Sequence, residues 1–380
     1  MLIRFTVSNF KAILDPIELS LIATREQQHS QRLTYIPKFQ KRYLPAAILF
    51  GGNASGKSSL VEALNFMQNK VLDQDTKLKQ NAAIPENETL PSTFEVDLLL
   101  DSYIYNYQFS CTREKIKEER LTKSNSRTEY ILFHRQGGEI HFPDTQTKKE
   151  EKQTQTILES LGNDTLFLNH LTDHNDYSLV YHWFKNNLVI LGQETKSTQP
   201  SDDSDALLAR YNKILPQLDM GILRVEEESA QTNSLVSIRQ NIKGQEYPLP
   251  INNESAGTRR LMEIIRAYRA GGKDHKSTTF VIDELDRSMH SHLTRHLLEH
   301  FFCYCQEGSQ DQIIATCYDL DLIDQSLFRR DEMWFFERLD QGVQLFSYAE
   351  FEEARHDMDL RKSYKEGRIG GLAKLKNFCQ

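Results

Sequence analysis

No stretch of the 380-residue chain approaches the ~20 consecutive apolar residues that a membrane-spanning helix requires. The opening "MLIRFTVSNF" carries no apolar core of a signal peptide, so a secretory route is not expected and the reading is cytoplasmic, without a membrane. Cysteine is scarce. The five, Cys111, Cys303, Cys305, Cys317 and Cys379, are odd in number, and none has zinc-ribbon spacing. Cys303 and Cys305 fall in the helical pattern "FFCYCQ", where packing explains them, and free thiols in a reducing compartment follow. Excess positive charge is missing too. A net charge of -8 excludes a chain that holds nucleic acid by its overall charge, although local basic patches keep a nucleic-acid contact open. Sustained heptads are absent, which excludes a long coiled-coil arm. What remains, 39% hydrophobic and 26% charged residues, is an ordinary globular composition, enough for two or three domains or one large α/β domain with insertions.

The most informative stretch is "GGNASGKSSL", residues 51–60. Gly51, Gly56, Lys57 and Ser58 fit G-x-x-x-x-G-K-[ST], and the pattern stands between two apolar elements. "AAILF" before it reads as a buried strand. "KSSLVEALNFMQNKVL" after it reads as a helix with Leu60, Leu64 and Met67 on one face. Glycine lets backbone N–H groups approach phosphate oxygens, and the helix start turns its partial positive charge toward them. The nucleotide-binding candidates are therefore Gly51, Asn53, Ala54, Ser55, Gly56, Lys57, Ser58 and Ser59. Lys57 would reach the outer phosphates of ATP and Ser58 would ligate Mg²⁺.

Such a loop calls for a second strand ending in acids. "STTFVIDELDRSMHSHL" supplies one: Thr278 to Ile282 is β-branched or aromatic, as a buried parallel strand should be, and it runs into Asp283 and Glu284. Asp283 is the candidate Mg²⁺ ligand and Glu284 the candidate base for the attacking water. No guanine-reading N-K-x-D follows. A third element, "NNESAGTRRLMEIIRAY", puts Ser255, Ala256 and Gly257 ahead of a helix whose Leu261, Ile264 and Ile265 face inward. Small residues there make either an anion site or simply a helix cap.

"ESAGTRRL" resembles the signature loop of ABC-type ATPases of the SMC-like and OLD-like branch. "NFKAI", "LFGGNASGKSSLVEAL" and "VIDELDRSMH" stand in the order that branch uses. The chain resembles most the compact AAA-family ATPases of bacterial phage-defence operons, of the RloA and AriA kind, and its own ending "RHDMDLRKSYKEGRIGG" also looks like theirs. The likeness is dense over 1–70 and 250–371 and thin between. It implies an α/β P-loop NTPase head of ABC type: a mixed sheet with an antiparallel β-lobe, interrupted by a helical insertion. It also implies a homodimer or larger oligomer sandwiching ATP and Mg²⁺, in which Ser255 and Gly257 touch the phosphates in trans and Asp286 sits on the loop crossing the interface. Asn9, Phe10 and Lys11 would lie near the nucleotide. No Q-loop residue can be placed, since Gln108 sits mid-strand in "YIYNYQFS".

One departure stands out. "DQIIATCYD" occupies the place of the family's switch histidine and has Tyr318 at that position. A phenol can donate a hydrogen bond to the terminal phosphate but does not titrate near neutrality as imidazole does. Tyr318 joins Glu284 and Lys57 as a catalytic candidate, and slow turnover is expected.

The domain reading is a first head half at 1–145, a mainly helical insertion at 146–245, a second head half at 246–350, and a tail at 351–380. "LIRFTVSNFKAI" with "PIELSLIA" and "STFEVDLLLDSYIYNYQFSC" read as antiparallel strands, the latter a hairpin turning at Asp101 and Ser102. "ILESLGNDTLFLNHL", "SLVYHWFKNNLVIL" and "DALLARYNKIL" carry helical periodicity. No room is left for a nuclease domain, so a nuclease or toxin effector is expected to be a separate protein. His290, His292, His296 and His300 in "MHSHLTRHLLEH" read as a partly exposed helix, and Arg361, Lys362, Lys365 and Arg368 as a solvated helix end. The leading function is a nucleotide-gated sensor and scaffold in phage defence. The alternatives are an SMC-like DNA-repair ATPase and, last, a transporter ATPase subunit.

Overall fold

The structure is a computed structural model. It describes residues 1–72, 90–142, 161–171, 175–192, 204–218, 220–228, 234–267, 277–306, 308–339, 342–351 and 360–366. The polar run at 145–156, the loop at 194–203, the turn at Asp340, Arg368, Cys379 and most of the tail lie outside them.

Two sheets organise the chain. The first is a seven-stranded antiparallel lobe in the order β10-β9-β8-β7-β6-β1-β2. Its members are β1 (Leu2–Ser8), β2 (Ile17–Ser20), β6 (Ser92–Leu100), β7 (Tyr103–Cys111), β8 (Ile116–Ser124), β9 (Glu129–Gln136) and β10 (Glu139–His141). Alternating burial along β1 is what a one-faced sheet demands. β6 and β7 pair as the expected hairpin, and Asp101 and Ser102 take φ of 44° and 67°, the left-handed pair of a type I′ turn. A small pair, β3 (Thr34–Ile36) and β4 (Lys41–Tyr43), precedes the second sheet.

The second sheet has the order β11-β15-β16-β5-β17-β18. It comprises β5 (Ala46–Gly51), β11 (Leu188–Leu191), β15 (Thr279–Ile282), β16 (Gln312–Thr316), β17 (Met333–Leu339) and β18 (Gly342–Ser347), all parallel except the β17–β18 pair. β5, β15 and β16 are buried at every residue, which is why they read as apolar runs rather than alternating ones. Successive residues serve opposite faces. Ala47 and Leu49 pack with Leu60, Leu64 and Met67 of α1 (Lys57–Leu72) in the core shared with the antiparallel lobe. Ala46, Ile48 and Phe50 pack on the other face with Leu298, Phe301 and Phe302. Those three belong to the later helix Ser291–Gln306.

Between the halves lie α2 (Asn175–His182) and α3 (Ser204–Ile214), but the described part of 146–245 is not only helical. "LVIL", expected to continue a helix, is β11 and hydrogen-bonds β15 at the edge of the P-loop sheet. A four-residue apolar run fits strand and helix periodicity alike, and pairing with β15 decides it. A three-stranded antiparallel sheet also forms from β12 (Ile222–Glu227), β13 (Leu235–Gln240) and β14 (Glu246–Pro250). It packs with α3 against α4 (Ala256–Ala267). After β15 the chain makes α5 (Ser291–Gln306) and returns as β16, a βαβ unit, and α6 (Leu360–Lys365) closes the described chain. Among the described residues no helix is long and apolar enough to cross a membrane, and no group of residues could hold a metal through His, Cys, Asp and Glu alone, the α5 histidines included.

Candidate nucleotide site

The sheet order places the site. β16 lies between β5 and β15, so the loop after β5 and the acids after β15 meet across one strand end, at the carboxyl edge where parallel α/β sheets bind ligands. The loop bends there at positions only certain residues accept. Gly56 has φ of 107°, and Ala54 sits at 58° in the left-handed region. A Cβ on Gly51 would stand 2.8 Å from the Phe336 carbonyl of the adjoining β17. Asn53 and Ala54 are exposed at the tip, Ser58 and Ser59 half-buried, Ser55 and Lys57 buried. The Ser55 hydroxyl is buried without a partner, a surplus donor inside a loop of N–H groups, as a phosphate cradle provides.

Lys57 is 3% exposed and donates to the carbonyls of Gly51, at 2.7 Å, and Gly52, at 2.9 Å. Burial draws its ammonium down to about 8, against the raising pull of Asp283 and Asp286. The Tyr318 ring covers it, with Nζ 4.0 Å from the ring centroid.

The metal candidates are adjacent: the Ser58 hydroxyl lies 3.3 Å from Oδ1 of Asp283. Thr316, at the end of β16, joins both acidic positions. Its hydroxyl donates to Asp283 Oδ1 at 2.6 Å and accepts the Glu284 N–H at 2.7 Å. Glu284 itself is held at φ of 51°, and its carboxylate, 19% exposed, stands 3.9 Å from Arg287. A left-handed glutamate is uncommon. Here the Thr316 hydroxyl and the Leu285 N–H donating to the Thr316 carbonyl at 2.9 Å fix it. A hydroxyl and a carboxylate side by side beside a buried lysine suit a Mg²⁺–phosphate pair.

The other predicted residues are placed differently. Asp286 turns onto its own chain, its Oδ2 accepting the N–H groups of Tyr318 at 2.8 Å and Asp319 at 2.6 Å, while Oδ1 is buried and unpartnered. Ser255 is exposed and caps α4, accepting the Thr258 N–H at 3.1 Å. Gly257 lies under the same acidic turn, where a Cβ would stand 2.5 Å from the Ser288 carbonyl. Among the described residues no hydrogen bond joins Ser255 or Gly257 to the 51–59 loop. Lys11 and Phe10 face α1, where Lys11 pairs with Glu62 and Phe10 packs tilted on Phe66 and edge-on to Phe94 of β6, whereas Asn9 donates to the Leu90 carbonyl at 2.9 Å. Gln108 pairs mid-strand with Glu95, as expected.

Two contributors escape the sequence reading. Thr316 leaves only the weak trace of a polar residue ending an apolar strand. Arg260, in the second turn of α4, donates to the Asp283 backbone carbonyl at 2.7 Å and so ties α4 to the acidic strand. Nothing in its spacing announces that.

Sheet and site together define an α/β P-loop NTPase fold. Residues 46–316 match the family described as "AAA domain, putative AbiEii toxin, Type IV TA system", and the chain belongs to that family. No curated protein matches the chain. Among solved structures it is similar to the SMC head domain from Thermotoga maritima, at 10% identity, over 91% of this chain and 98% of that one, with a TM-score of 0.39.

Proposed function

We propose that the protein binds and slowly hydrolyses ATP with Mg²⁺, and that the nucleotide gates a sensor and scaffold in phage defence. In this reading two or more copies close on ATP and hold a separate nuclease or toxin. The observation that carries the ATPase reading is the meeting of Lys57, Ser58, Asp283 and Glu284 at one strand edge. The defence reading draws support from the family description, which names a toxin of a type IV toxin–antitoxin system.

Ser58 and Asp283 would hold Mg²⁺, which when bound supplies charge neutralisation at the phosphates. Lys57 would exchange the Gly51 and Gly52 carbonyls for phosphate oxygens, a charge-assisted and stronger pairing. Glu284, fixed beside Asp283 by Thr316, would take the proton of the attacking water. Tyr318 presents a ring to Lys57 and brings no group that titrates near neutrality, in keeping with slow turnover.

The test is the mass of the complex with and without ATP for wild type and Glu284→Gln. ATP should raise the mass, and Glu284→Gln should retain the larger species while hydrolysis falls by about 10²-fold or more. An unchanged mass in both would remove the gating role. Co-expression with neighbouring gene products, followed by pull-down, tests for the effector.

A further inference from the structure

The contact between Tyr318 and Lys57 is unlike the role expected of a residue at the switch position. An ammonium has three donors. Two are taken by the Gly51 and Gly52 carbonyls, and the remaining side meets the face of the Tyr318 ring at 4.0 Å, a cation–π distance. Tyr318 is 39% exposed, so core packing does not hold the ring there. Its backbone does: the Asp286 carboxylate grips the N–H groups of Tyr318 and of Asp319. Among the described residues no hydrogen-bond partner meets the Tyr318 hydroxyl.

We propose that the ring face of Tyr318, set in place by Asp286, is the positioning element for Lys57: it keeps the ammonium on the loop carbonyls until phosphate arrives, and phosphate entry displaces the ring. The ring, not the phenol hydroxyl, is the working part. The proposal rests on the triphosphate reading above, because it assigns phosphate as what displaces the ring. An exposed aromatic side chain can leave by rotation between staggered rotamers, so displacement needs no unfolding.

The test uses two readouts on the full chain. One is the rate of Lys57 acylation by acetic anhydride without nucleotide, read by peptide mass spectrometry. The other is the association rate of N-methylanthraniloyl-ATP. Tyr318→Phe should match wild type within about twofold in both. Tyr318→Leu, which keeps bulk but has no π face, should raise both rates about fivefold. Asp286→Asn leaves the ring present but loosens its anchor, and should raise both by about twofold to threefold; it carries the test if Tyr318→Leu fails to fold. The proposal is overturned if Tyr318→Leu acylates at the wild-type rate, or if Tyr318→Phe behaves like Tyr318→Leu, which would return the role to the hydroxyl. Failure of the nucleotide to bind wild type would instead sink the triphosphate reading, and the acylation rates would still judge the ring.

Discussion

The loop at 51–59 and the loop at 254–257 are built from the same materials, small residues opening a helix, and they end in opposite conditions. The first is turned inward, with left-handed backbone at Ala54 and Gly56, a buried Ser55 hydroxyl lacking a partner and a buried lysine. Its bonding capacity exceeds what its own chain uses. The second is exposed at Ser255 and closes on itself: the hydroxyl accepts the Thr258 N–H and shares a 2.8 Å bond with the Thr258 hydroxyl. Gly257 is accounted for by the Ser288 carbonyl lying over it. A glycine-rich helix start is thus a ligand site only when it leaves polar groups unspent. The 51–59 loop meets that condition within one chain, and 254–257 does not.

The largest effect that would break this contrast is at Lys57. Lys57→Ala should weaken ATP binding by about 100-fold or more, since it removes the one cation buried in the cradle. Isothermal titration decides it, and retention of wild-type affinity would mean the loop is no phosphate site. Ser255→Ala in the same assay, at protein concentrations that keep the chain monomeric, should stay within about twofold.

Next in size is the effect of pH. Lys57 is charged below about 8 and neutral above it, because burial disfavours the ammonium. Phosphate pairs with the charged form, so binding above that point must take up a proton. The apparent dissociation constant should be flat from pH 7 to its turning point, then rise about tenfold per pH unit toward pH 10. Lys57→Arg keeps its charge throughout and should show no such rise. A flat wild-type profile would place the amine outside the binding step.

The cradle was legible because its chemistry is local. Glycine spacing, the lysine and the flanking apolar runs all fall within one stretch, and α1 begins at Lys57 as its pattern predicts. The acids were legible because a buried parallel strand that ends in two carboxylates is chemically conspicuous. The Thr316 bridge, the Arg260 tether and the grip of Asp286 on the Tyr318 backbone were not, since each joins elements more than 20 residues apart and depends on strand order. The resemblance supplied Asp286 with a role at a subunit interface. In the structure its first commitment is to its own chain. β11 was missed for a related reason: its partner β15 lies 91 residues downstream, Leu188 opposite Thr279, and local pattern cannot see it.

The smallest effects separate the cap from a trans contact, and they concern the second loop. Gly257→Ala brings a methyl group against a backbone carbonyl that cannot swing aside, and should cost about 1–3 kcal/mol of stability. Ser255→Ala removes a helix cap and should cost about 1 kcal/mol. Thermal unfolding in the absence of nucleotide measures both, and neither value alone tells cap from contact. Ser255→Asp supplies the distinction. An aspartate caps a helix as well as serine does, so stability should return to wild type. A carboxylate facing phosphate repels it, so ATP-dependent association should stay impaired. If Ser255→Asp restored association as fully as it restored stability, Ser255 would be a cap alone, and the loop at 254–257 would have no part in closing a second copy over the nucleotide.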